Sequence, residues 1–81
     1  MRIDKFLSAV NIVKKRSIAL DMCKSKVIFV NEVQVKPSKE VNVGDNITIK
    51  YLESEKKYKV ILIPKVKSTP KSEQGRYVEL I

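Results

Sequence analysis

The hydrophobic rhythm of this 81-residue chain changes at Lys26, and that change limits it to a fold with helices first and strands after. Ahead of it, Ile3, Phe6, Leu7 and Val10 recur at i, i+3, i+4 and i+7, which is one face of a helix fading between Ser8 and Asn11. Ile18, Ala19, Met22 and Cys23 form a second helical set, flanked by polar Asp21 and Lys24. The two predicted helices are joined by a short link in which Ile12 and Val13 cover the junction, an αα-hairpin. Beyond Lys26, Val27–Val30 is a short β-branched run, and Val33-Gln34-Val35 follows the pair Asn31-Glu32, so the spacing predicts a tight β-hairpin. Because Glu32 tolerates positive φ poorly, a modified turn is expected. After turns at Pro37-Ser38 and Val43–Asn46, Ile47, Ile49 and Tyr51 alternate with Thr48, Lys50 and Leu52 as a half-buried strand. Glu53–Lys56 reads as a polar loop, and Tyr58–Ile63 as a strand stopped by Pro64. Residues 65–75 carry Lys65, Lys67 and Lys71 among Ser, Thr, Pro and Gly, and are expected to be a mobile loop. Arg76–Ile81 supplies a last short strand.

This order predicts an α+β domain, two helices on a small, mainly antiparallel sheet. The expected core is Ile3, Phe6, Leu7, Val10, Ile18, Ala19, Met22, Val27, Phe29, Val35, Ile47, Ile49, Val60 and Leu62. The expected division is a binding domain with its sheet extension over residues 1–64, then a basic loop and short strand over 65–81.

The second helix begins at an electrostatically awkward place. Lys14, Lys15 and Arg16 stand together where unpaired N–H groups already give a helix start a partial positive charge. Such a start favours an anion, and phosphate is the obvious one. The whole chain agrees: 17 Lys and Arg against nine Asp and Glu give a net charge of +8, an excess that suits a polyanionic partner. Arg16 leads the candidates, because a planar guanidinium grips a phosphate with two bonds or stacks on a base. Arg2 is second, Lys14 and Lys15 add point charges, and Lys5 joins them. Asp4 repels RNA if left alone. Either it holds Arg2 or Arg16 in place, or accepts from a ribose hydroxyl or base amino group, or it only complements the helix dipole. Ser17 either caps the helix or contacts phosphate. Lys24, Lys26, Lys36 and Lys39 extend the patch toward the hairpin or are ordinary solvated lysines. Tyr51 and Tyr58 either stack on bases or pack on the sheet. The lysines of the 65–71 run either bind RNA or only add solubility.

Several classes are disfavoured. With no His and one Cys, the chain has no zinc ligand set and no internal disulfide. Cys23 lies among apolar residues with no base to activate it, and reads as a buried structural thiol. No carboxylate pair has a spacing that suggests a shared catalytic site. The charged start and the short apolar runs point away from a signal peptide or membrane span. A cytoplasmic, monomeric protein without cofactor or metal is expected.

The ordered set Arg2-Ile3-Asp4-Lys5-Phe6-Leu7, Lys15-Arg16-Ser17-x-Ala19, Val30-Asn31, Lys36-Pro37-Ser38 and Val43-Gly44-Asp45 resembles the S-four-type (alpha-L) RNA-binding domain across about residues 1–50. A stand-alone copy of this size is similar to the heat-shock-protein-fifteen family, in particular its small Gram-positive-type branch in ribosome quality control. Two positions depart from the pattern: Lys26 stands where the family usually has Gly before the first strand, and Glu32 where Gly follows the hairpin Asn. The resemblance implies non-enzymatic binding of ribosomal RNA through the helices and hairpin. It further implies a place on obstructed large ribosomal subunits, where the protein supports peptidyl-transfer RNA while alanine is added to the stalled chain, with a nascent-chain tailing factor as a further partner. An RNA-binding accessory subunit of an RNA-modifying enzyme, or a ribosome-assembly factor, is the alternative.

Overall fold

In the computed structural model, which describes residues 1–81, the predicted helices are α1 (Ile3–Ala9) and α2 (Arg16–Lys24). Both end in the same way. Beyond α1, Asn11 takes φ 65°; its N–H donates to the Ser8 carbonyl and that of Ile12 to the Leu7 carbonyl. Beyond α2, Lys26 takes φ 64°; its N–H donates to Cys23 and that of Val27 to Met22. Each is a Schellman closure with a left-handed residue just past the helix, a position that normally favours glycine. Asn11 suits it well, since Asn visits this region most readily among residues with a side chain. Lys26 adopts it at a steric cost.

The second closure turns the chain directly into a five-stranded antiparallel sheet, ordered β2-β1-β3-β4-β5. The strands are β1 (Ile28–Val30), β2 (Val33–Gln34), β3 (Asn46–Lys50), β4 (Glu55–Val60) and β5 (Val78–Leu80). A 3₁₀ helix over Lys71–Arg76 precedes β5. Val30 pairs with Val33, so Asn31-Glu32 is a two-residue loop, and both residues have positive φ, 51° and 70°. This is the unmodified primed turn that matches strand twist. The expected modification does not occur, because Asn31 is fastened from outside. Its side chain donates to Asp45 at 3.1 Å and accepts from the Asn46 N–H at 2.9 Å.

Ile3, Phe6, Leu7 and Val10 are fully buried, as their spacing predicts, and Ala19, Ile47, Ile49 and Val60 join them. Strand parity is different. Ile28 and Val30 are buried in the core and Val27 packs against its edge half-buried, whereas Phe29 does not join it. The turn sets this phase, since Val30 must oppose Val33 and Ile47. Phe29 lies on the far face with the Lys50 ammonium 4.3 Å from its ring centroid. Val35 and Met22 are half-buried, while Ile18 and Leu62 are exposed. Ala9, Val13, Cys23, Val41 and Val78 complete the core. β4 starts earlier than expected, at Glu55, because Lys50 and Glu55 close a hairpin, and it stops at Val60, before Ile63. Residues 65–75 are not a free loop: Thr69 is buried and bonded to the end of α1. No helix is long and apolar enough to cross a membrane.

Candidate nucleic-acid interface

α1 packs on α2, and Asp4 in the first turn of α1 is reached by the side chains of Arg2, just before α1, and of Arg16, the first residue of α2. The Asp4 side chain is 0% exposed. Burying a carboxylate is costly unless charge and hydrogen bonds compensate it. Here Oδ1 accepts the Lys5 N–H at 2.8 Å, and Oδ2 accepts from Arg2 Nη2 and Arg16 Nε, each at 3.2 Å. The two arginines are 48% and 47% exposed. They lean on the buried charge with one nitrogen and keep the rest of each guanidinium toward solvent. Asp4 therefore does more than complement a dipole: it ties together two residues 14 positions apart in sequence.

The backbone around Asp4 extends the cluster. The Ile3 N–H donates to the Lys39 carbonyl and the Asp4 N–H to the Pro37 carbonyl. Arg2 also forms an isolated bridge with Glu40. The Lys36–Lys39 turn is thereby fixed against the start of α1. On the α2 side, Lys15 is the N-cap residue in extended conformation, and its carbonyl accepts from the Ile18 and Ala19 amides. There is no acid in the first turn of α2 and no side chain caps it. Lys14, Lys15 and Arg16 thus surround an uncompensated helix start. Ser17 is the second residue of α2, exposed and without a capping bond, which removes its expected capping role. Lys5 is half-buried in α1.

The remaining predicted cations gather where sequence spacing does not show it. Lys24, Lys26 and Lys36 line one depression of about 350 Å³ together with Cys23, Gln34, Val35 and Pro37. Gln34 Nε2 donates to the Lys26 carbonyl at 3.0 Å, closing the floor between the end of α2 and the hairpin. A second depression, about 480 Å³, shares Gln34, Val35 and Lys36 and adds Lys39, Asn31 and Ser38. None of Lys14, Lys15, Lys24, Lys26, Lys36 or Lys39 forms an ion pair within the chain. Cys23 is buried, and desolvation, with the Asp4 charge adding, pushes its thiol above the ordinary value of 9.0. It stays protonated at neutral pH. Tyr51 is exposed, whereas Tyr58 is half-buried against the core.

The arrangement offers planar forks at one end and point charges along a concave surface, a set suited to a phosphate backbone. Sequence comparison points the same way. The S4 domain model matches residues 1–47. The RQC P-site tRNA stabilizing factor of Helicobacter pylori strain J99 is 42% identical over 78 residues, covering 96% of this chain and 93% of that protein. Its Bacillus subtilis strain 168 namesake is 31% identical, covering 93% and 84%. Among solved structures, trimeric heat shock protein 15 of Vibrio cholerae superposes with a TM-score of 0.89 at 28% identity, over 100% of this chain and 81% of that one. The solution structure of the hypothetical protein HP1423 gives 0.87 at 40% identity, over 100% and 96%. The chain belongs to the S4 domain family and groups there with the small RQC P-site tRNA stabilizing factors.

Proposed function

We propose that this chain binds ribosomal RNA and the peptidyl-tRNA of an obstructed large ribosomal subunit, without catalysis, and steadies that tRNA while alanine is added to the stalled chain. The observation that carries the reading is the buried Asp4 carboxylate holding two half-exposed arginines beside an uncompensated helix start. A carboxylate kept dry inside a basic surface has a clear use if it fixes guanidinium groups for an external anion. The relatives named RQC P-site tRNA stabilizing factor support reading that anion as tRNA on the ribosome. Arg2 and Arg16 then grip phosphate or stack on bases. Lys14 and Lys15 neutralise the neighbouring backbone, and Lys24, Lys26 and Lys36 follow the strand across the hairpin. A nascent-chain tailing factor would act beside it.

The test is co-sedimentation with large subunits carrying peptidyl-tRNA. Arg16→Lys keeps a cation for Asp4 and loses the planar fork, so a folded variant with weakened binding is expected. Binding should also weaken steeply with salt: for ~4 phosphates neutralised, the slope of log affinity against log salt is about −3 to −4. Salt-insensitive association, or wild-type binding by both Arg16→Lys and Arg16→Ala, would overturn the reading. Co-purification with an RNA-modifying enzyme instead of subunits would replace it with the accessory-subunit alternative.

A further inference from the structure

Between β4 and β5 stand three exposed lysines, Lys65, Lys67 and Lys71, none in an ion pair, while nearby Arg76 is paired with Glu73. Among them lies Thr69, 4% exposed. Its N–H and Oγ1 both donate to the Ala9 carbonyl, at 3.0 and 2.8 Å. Asn11 Nδ2 donates to the Thr69 carbonyl at 2.6 Å, and Gln74 Nε2 to the Val10 carbonyl at 2.9 Å. The loop is latched across the end of α1 by neutral groups alone. Water would satisfy those carbonyls equally well, and ordering a loop costs backbone entropy at every residue it fixes. A run that served only solubility has no need of such anchoring. The latch fixes a lysine-bearing segment against Asn11, and the link from Asn11 leads straight into Lys14, Lys15 and Arg16.

We propose that Lys65, Lys67 and Lys71 form a second contact with RNA phosphates, held in register with the Arg2–Arg16 contact by the Thr69 latch. The inference rests on the RNA-binding reading above and extends its surface to the far end of α1. That helix has seven residues, so at ~1.5 Å per residue its ends are about 10 Å apart and the two contacts fall on different phosphates. Lysine ammoniums are point charges without a fork, so this contact adds affinity and orientation with little sequence preference. Fixing the loop beforehand lowers the entropy lost when RNA arrives.

The experiment measures binding to large subunits carrying peptidyl-tRNA over a salt series, for wild type, Arg16→Ala, Lys65→Ala/Lys67→Ala/Lys71→Ala and Thr69→Val. With these three charges added to the ~4 of the first contact, the wild-type slope of log affinity against log salt should be about −5 to −6; removing them should return it to about −3 to −4 and lower affinity at ~0.15 M salt roughly 50- to 170-fold. Thr69→Val keeps the lysines and removes the hydroxyl bond of the latch, which loosens the loop, so the slope should hold while affinity falls about 2- to 10-fold, the loss expected from ordering side chains on binding. A triple variant with wild-type slope and affinity overturns the inference. If Arg16→Ala loses binding at the same time, the RNA-binding reading survives that failure. If no variant changes binding, both fall. Far-UV circular dichroism shows that the triple variant, altered only at exposed residues, is folded.

Discussion

The two ends of α1 are held by opposite kinds of chemistry. At its start, a buried carboxylate engages two arginines and the Lys5 amide, and the same arginines face solvent. At its end, Thr69, Asn11 and Gln74 bond to carbonyl groups, and the nearby lysines stay out of the contact. Charge at the first end serves fold and binding together. At the second end the two tasks fall to different residues. Stability and RNA affinity should therefore be coupled at the Asp4 end and separable at the Thr69 end.

The largest expected effect breaks the first end. Arg2→Ala/Arg16→Ala strands the Asp4 carboxylate in a dry site with one N–H partner. Losing the partners of a buried charge costs ~3–5 kcal/mol, and partial solvation of these arginines places the value toward the lower figure. Adding Asp4→Asn to this pair should return most of that stability in chemical denaturation without returning subunit binding. Persistent instability in the triple variant would mean that the arginines support the fold by packing, not by charge.

Asp4→Asn alone sharpens the same point. It makes the protein more basic, which by itself favours RNA. If the carboxylate orients Arg2 and Arg16, affinity should nevertheless fall, by about 1.5–3 kcal/mol, the worth of one charge-assisted hydrogen bond. Stronger binding, read in the same co-sedimentation assay, would reduce Asp4 to a dipole partner.

How much of this contrast is visible in sequence depends on what holds each piece. The face of α1 is legible because Ile3, Phe6, Leu7 and Val10 fix a helical phase within eight residues. The α2 face is less so: Ala19 and Cys23 point inward, and the larger Ile18, one residue off that line, is 40% exposed. In Val27–Val30 four apolar residues leave parity open, and only the turn geometry puts Ile28 and Val30 inside. The role of Asp4 is legible as a choice, since Arg2 and Arg16 stand near either helix start. That both arginines share one oxygen depends on helix packing. The convergence of Lys24, Lys26 and Lys36 on one depression comes from the fold back at Lys26. Thr69 carries no signal, because a polar residue buried through hydrogen bonds has no hydrophobic period.

At the neutral end, Thr69→Val should cost about 1 kcal/mol of global stability, the usual net value of one intramolecular hydrogen bond. The shape is kept and the amide bond to Ala9 remains. Urea unfolding gives the number. A loss as large as that of the arginine pair would abolish the contrast between the two ends.

The smallest effect lies under Asp4, at Cys23. Burial is the larger cause of its raised thiol pKa, and the Asp4 charge the second. In the unfolded chain the thiol ionises near its ordinary value of 9.0, while in the native protein it holds its proton to higher pH. The folded state then binds more protons than the unfolded state, so stability falls as pH rises. Below that ordinary value both states are protonated and nothing changes. Above it the loss grows until the native thiol also ionises. Tyr58, raised by burial and then by Tyr51, adds a similar loss from about its ordinary 10.0 upward. Subtracting the unfolding curve of Cys23→Ala from that of wild type isolates the thiol. In Asp4→Asn the same difference should shrink but persist, since burial remains. Complete disappearance would show that Asp4, and not burial, governs Cys23, and would extend the reach of the charged end through the core.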